Sequence, residues 1–160
     1  MDQTTRRTLI ERYQDGPRVV AEALGQIGEA ELDARPGPDE WTVREIVHHL
    51  ADSEMTSAIR LRRLLVEDAP VVTGYDERAF ARRLTADRPL AAALDAFAAA
   101  RRTTAEILER LDEADWARAG THSESGRYSV EDWLAIYAAH AHDHAAQIGR
   151  VRAAASNPGR

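Results

Sequence analysis

Apolar residues recur every third or fourth position along most of this chain, in stretches dominated by alanine, arginine, leucine and glutamate with only modest valine and isoleucine. That is the period of an α-helix rather than a strand, so the chain is expected to be all-α. At 160 residues it suffices for one domain, spanning residues 1–160, with a core that needs no staples.

Local signals divide the helical pattern into four. The first helix is expected from Thr4 to Ile27, with a break or kink at Asp15-Gly16-Pro17, because a proline inside a helix costs about 3 kcal/mol. Leu32 to Glu40, with Arg35-Pro36-Gly37-Pro38, reads as a loop. Thr42-Val43-Arg44-Glu45 is a capping box flanked by Trp41 and Ile46, so the second helix starts at Thr42 and runs to about Glu67. Ala69 to Pro89 is a long crossover with a short helix near Asp76 to Arg82, and Leu90 to Leu111 is the third helix. Gly120 to Arg127 is a polar loop. Ser129-Val130-Glu131-Asp132 repeats the capping pattern and opens the fourth helix, which extends to about Ala155 before a frayed tail at Asn157 to Arg160. Four long amphipathic helices with a long crossover between the second and third predict a four-helix bundle, in which sites are built from side chains on facing helices.

Composition removes several functions. There is no cysteine, hence no disulfide, thiolate metal site or cysteine nucleophile. The net charge is -6, and Arg60, Arg62, Arg63, Arg82 and Arg83 are interspersed with acids, which argues against nucleic acid as a partner. No signal-peptide core follows Met1 and no run is long enough to span a membrane, so a cytoplasmic protein is expected.

The histidines carry the chemical information. Five of the six fall on two helices, as His48 and His49 and as His140, His142 and His144. At about 100° per residue, His144 lies near the centre of the fourth helix's apolar stripe of Val130, Trp133, Tyr137, Ile148 and Val151, with His140 beside it and His142 turned away. His49 lies at the edge of the second helix's stripe of Val43, Ile46, Leu50, Ser57, Leu61 and Leu64, and His48 is expected to face water. An i, i+4 pair on an inward face plus a third histidine on a neighbouring helix is a ligand set for zinc or a similar divalent ion. The alternative is that His140 and His144 are hydrogen-bonded core residues, but burying two in a segment of alanines needs several polar partners. The H-x-H-x-D-H pattern of metal-dependent hydrolases is only echoed by His140-Ala141-His142-Asp143-His144, which is one residue short of it.

Trp41-Thr42-Val43-Arg44-Glu45-Ile46-Val47-His48-His49-Leu50-Ala51-Asp52-Ser53 resembles the second-helix signature of the DinB/YfiT-like superfamily. Tyr75-Asp76-Glu77 is similar to a crossover motif of the YfiT branch, and His140-x-x-x-His144 with Gln147-Ile148 to its fourth-helix motif. The resemblance implies an up-down-down-up four-helix bundle, frequently a homodimer, with nickel or zinc held by His49, His140 and His144. It further implies either a metal-dependent hydrolase or a transferase of a low-molecular-weight thiol such as bacillithiol, mycothiol or glutathione. Glu54 departs from the pattern, standing where relatives often have histidine, and is a candidate fourth ligand, general base, or neither.

Three neutral imidazoles leave an ion its full charge, which lowers the pKa of a bound water or thiol. Thiol transfer to an electrophilic small molecule is the favoured expectation, with hydrolysis by activated water as the alternative and a metal-stabilised ligand-binding protein as the third. Ser53 and Gln147 share the histidines' side of their helices, and Tyr75, Asp76 and His122 are candidates for the mouth of the site. Each has a plain reading beside the functional one: close packing for Ser53, a polar end to the stripe for Gln147, ordering of the crossover for Tyr75 and Asp76, and solvation for His122.

Overall fold

The computed structural model describes residues 1–156 and holds four long helices, α1 (Gln3–Leu24), α3 (Val43–Val66), α5 (Ala91–Leu108) and α7 (Val130–Ser156). Short helices α2 (Glu29–Leu32), α4 (Glu77–Leu84) and α6 (Glu113–Trp116) lie in the connections. The expected tail at Asn157 to Arg160 falls outside the described residues. Among the described residues no helix is long and apolar enough to cross a membrane.

Both expected capping boxes form. Thr42 Oγ1 accepts from Glu45 N–H at 3.2 Å while Glu45 Oε2 accepts from Thr42 N–H at 2.9 Å. At α7 the same exchange runs between Ser129 and Asp132, at 2.9 and 3.1 Å. Asp76 caps α4 by accepting from Ala79 N–H at 2.8 Å. These satisfy backbone donors that a helix start leaves open.

Side-chain contacts fix the helix directions. Arg6 meets Glu131, His142 meets the Arg12 carbonyl and Arg152 meets the Leu24 carbonyl, so α1 and α7 run parallel. Trp133 Nε1 donates to Ser57 O while His140 meets His49, so α3 opposes α7. Arg101 meets Glu54 and Thr104 meets Arg62, so α5 runs with α3. The result is an up-down-down-up bundle. Two consecutive parallel helices cannot be joined by a tight turn, which is why the chain spends residues 67–90 on a crossover.

Three expectations need correction. First, α1 continues through Pro17 without a break. The Tyr13 carbonyl that would have accepted the missing Pro17 N–H instead accepts from Arg101 Nη1 at 2.6 Å. Gly16 makes room for that guanidinium: a Cβ there would overlap it and stand 2.9 Å from Ala141 Cβ. Second, the segment expected as a polar loop at Gly120 to Arg127 forms a hairpin of β2 (Ala119–His122) and β3 (Gly126–Ser129), and β2 also pairs parallel with β1 (Val71–Val72). Gly120 is needed there because a Cβ would run into the Pro70 carbonyl, and Gly126 supplies the turn with φ +79°. Third, His48 is buried and its Nε2 lies 3.4 Å from Arg88 O. Every residue from Thr42 to Ala51 is buried, because the end of the crossover covers the face of α3 that its own apolar stripe leaves open.

The core falls into two apolar clusters, one around Trp133, Leu61 and Leu108 and one around Ile46, Phe97 and Ile148. Between them lies a buried ion pair, Arg101 Nε to Glu54 Oε2 at 2.7 Å, with the guanidinium 4.3 Å from the Tyr13 ring centroid and 4.9 Å from that of Phe97.

Candidate metal centre

α3 carries His49 in its second turn and α7 carries His140 and His144 one turn apart; the opposed directions of the two helices bring these levels together. His49 Nε2 lies 3.3 Å from His140 Nε2, which lies 3.2 Å from His144 Nε2. The three offer donor atoms within 4.8 Å of one another. Trp41, just ahead of the Thr42 cap, walls the group: its ring meets His49 edge-on at 4.8 Å and lies parallel to His144 at 6.4 Å.

Burial, reinforced by His144, pushes the pKa of His49 down to about 3. Burial, then His144 and His49, pushes that of His140 down to about 2. Burial also lowers His144, against the opposing effect of Gln147. All three rings are therefore neutral at pH 7. The His144 Nδ1–H donates to Gln147 Oε1 at 2.7 Å, which leaves the Nε2 lone pair facing the centre. His140 Nδ1 is buried without a hydrogen-bond partner among the described residues. Three neutral imidazole nitrogens gathered this closely, with the His144 lone pair aimed inward, form a donor set that fits a divalent cation.

A carboxylate that sequence reasoning had not assigned a role stands beside the trio. Glu77 Oε2, at the start of α4, lies 4.0 Å from His49 Nε2. Since His49 is neutral, this is a carboxylate facing a donor atom rather than an ion pair. Burial raises the Glu77 pKa above the ordinary glutamate value, Arg60 opposes the rise and Glu124 adds to it. The signal for Glu77 was present in the Tyr75-Asp76-Glu77 motif, but nothing in the sequence says which of the three the crossover turns inward. Trp41 was hidden in the same way by its place beside a cap.

The other candidates separate clearly. Gln147 touches the trio through His144. Ser53 is buried on α3, in the surroundings of Tyr75, whose buried hydroxyl has no well-formed hydrogen bond among the described residues. Asp76 is the cap of α4, and the His122 ring packs on Tyr128 at 5.6 Å at the end of β2. Glu54 is not brought to the trio: one oxygen holds Arg101 and the other accepts from the Tyr13 hydroxyl. A carboxylate so engaged, and fully buried, is committed to Arg101 and Tyr13 and does not belong to the converging donor group.

Known proteins agree with this architecture. The family model of the DinB superfamily matches residues 12–148. A protein of Oceanobacillus iheyensis named "Putative metal-dependent hydrolase OB0782" is 33% identical over 139 residues, 87% of this chain and 81% of that one. A similarly named protein of Bacillus mycoides is 29% identical over 143 residues, covering 89% and 83% of the two chains. Among solved structures, YfiT from Bacillus subtilis, described as "a probable metal-dependent hydrolase with an unusual four-helix bundle topology", superimposes with a TM-score of 0.89 at 26% identity, over 94% of this chain and 87% of that one. The chain belongs to the DinB superfamily.

Proposed function

We propose that this protein is a divalent-metal-dependent hydrolase of a small-molecule substrate, with His49, His140 and His144 as the metal ligands and Glu77 as the proton acceptor. The carrying observation is the combination of three converging neutral imidazoles with a carboxylate 4.0 Å from one of their donor atoms. A zinc or nickel ion there supplies Lewis acidity, polarising a substrate oxygen and lowering the pKa of a water or thiol. Glu77, raised by burial yet half exposed, is placed to take a proton from the attacking water and return it to the leaving group. Gln147 holds His144 in the tautomer the ligand role requires. Trp41 shields one side of the trio from water. The names of the relatives support the same chemistry.

Transfer of a low-molecular-weight thiol is the second reading. It is favoured by the wholly neutral donor set, which leaves the ion's charge to be balanced by an anion, and a thiolate suits zinc or nickel. In that case Glu77 takes the thiol proton. The test assays metal-loaded protein on activated esters and amides, and in parallel with bacillithiol, mycothiol or glutathione on a monohalogenated bimane. Metal-dependent ester or amide turnover that Glu77→Gln lowers by roughly 10²–10⁴-fold with metal content unchanged supports hydrolysis. Thiol-dependent product without ester or amide turnover supports transfer, and neither activity overturns both.

A further inference from the structure

Beside the trio, Arg60 reaches from α3 across to the crossover and α7. Its Nη2 donates to Thr73 O at 2.5 Å and its Nη1 to Tyr137 OH at 3.2 Å. Both partners are neutral. By contrast Arg35, Arg44 and Arg101 each meet a carboxylate at 2.7–2.8 Å. The Arg60 Nε is buried and has no hydrogen-bond partner among the described residues, and the same holds for the Tyr75 hydroxyl. Arg60 therefore keeps an unused buried donor, and the Tyr75 hydroxyl has only the Ser53 side chain near it without a well-formed bond, a costly state for a folded protein to carry without a use.

The two belong to one cluster at the rim of the histidine site. Tyr137, which receives Arg60, packs its ring 5.8 Å from that of His140. Tyr75 packs on Phe80 of α4 at 4.9 Å, and the charge of Glu77 is felt both by Arg60 and by Tyr75. The guanidinium is held on two sides by protein oxygens, so its buried Nε–H is fixed in direction rather than free to follow solvent. A fixed cationic N–H with a phenolic O–H in the same cluster matches an anionic oxygen acceptor. Glu77, Glu124 and Asp52 are the carboxylates whose charges reach this cluster and Arg60 is the cation that opposes Glu77, so a further carboxylate seated there depends on the Arg60 guanidinium.

We propose that Arg60, with Tyr75, seats a carboxylate group of the substrate, so that the molecules turned over at this site are small carboxylic acids carrying the scissile group at the histidine end. The assignment rests on the metal-site reading for the second half of that statement only; the carboxylate seat is built from residues that do not ligate the ion.

The experiment measures binding of phenylacetate, and of its neutral counterpart phenylacetamide, to the full chain by calorimetry or by NMR shift perturbation, in zinc-loaded and chelator-treated protein. The zinc-loaded protein is expected to bind phenylacetate at least ~10-fold more tightly than phenylacetamide, and Arg60→Gln to weaken phenylacetate by ~10-fold or more. Tyr75→Phe, which keeps the ring on Phe80, is expected to weaken it by a smaller factor. Arg60→Lys retains the charge without the Nε–H and serves where Arg60→Gln does not fold, as judged by its melting curve; it should fall between wild type and Arg60→Gln. Equal affinity for acid and amide, affinity unchanged by every variant, or no saturable carboxylate binding overturns the proposal. Arg60-dependent binding that persists in chelator-treated protein upholds the seat even where zinc binding by the histidines fails. Zinc binding by the histidines with Arg60-independent phenylacetate binding does the reverse.

Discussion

A histidine is a useful ligand only when the right nitrogen is left free, and for His144 that choice is made by Gln147 three residues on. Removing the amide should loosen both ring orientation and tautomer. Gln147→Leu is expected to weaken zinc binding by roughly 10- to 100-fold with the fold intact, read by competition against a chromophoric chelator. Gln147→Glu, which restores an acceptor, should recover most of the loss. The two other histidines near the site serve as controls of different kinds. His142 reaches the Arg12 carbonyl on α1 and His48 the neighbourhood of the Arg88 carbonyl, and neither belongs to the converging group. His142→Ala should leave metal stoichiometry untouched. His48→Ala should also leave it untouched while lowering the melting temperature, because it removes a buried ring.

Among the elements, α1 shows how a rule of helix chemistry can be correct and still mislead. Pro17 does remove a backbone hydrogen bond, and the freed Tyr13 carbonyl is repaired by Arg101 from α5, 88 residues away in sequence. Gly16 is the complementary half of that joint. Gly16→Ala is expected to destabilise the protein by about 1–3 kcal/mol through overpacking against Arg101 and Ala141, measured by urea unfolding. Arg101→Ala should cost more, about 3–5 kcal/mol, since it strands the buried Glu54 carboxylate as well. What the sequence alone disclosed follows the same division. The capped starts of α3 and α7 and the inward faces of His49, His140 and His144 depend on residues a few positions apart, and were readable. The repair of Pro17, the burial of His48 and the role of Glu54 depend on partners from other elements. The strands of two to four residues are too short for an alternation to register, and the hairpin's glycines read as loop.

For the molecule as a whole, the up-down-down-up arrangement sets α3 against α7 in opposite directions and leaves the crossover to deliver Glu77 and Tyr75 to the same end. Gathering neutral histidines in one interior has a price in acid. The folded-state pKa values of His49 and His140, about 3 and about 2, lie below the ordinary value of 6.5. The unfolded chain therefore takes up protons first as pH falls. The stability present above pH 6.5 is lost progressively below it, by roughly 1.4 kcal/mol per pH unit for each histidine. Metal-free protein should melt at lower temperature at pH 5 than at pH 7, a range in which carboxylates of ordinary pKa stay largely ionised. A His49→Gln, His140→Gln double variant should flatten that dependence.

The most direct test of the central claim is metal analysis of the purified full chain after saturation with zinc and removal of excess, repeated for single alanine variants of His49, His140, His144 and His142. The histidine trio predicts about one ion per chain in wild type and His142→Ala, and a sharp loss in each of the other three. Sub-stoichiometric zinc in wild type, or full occupancy surviving in His140→Ala, would contradict it.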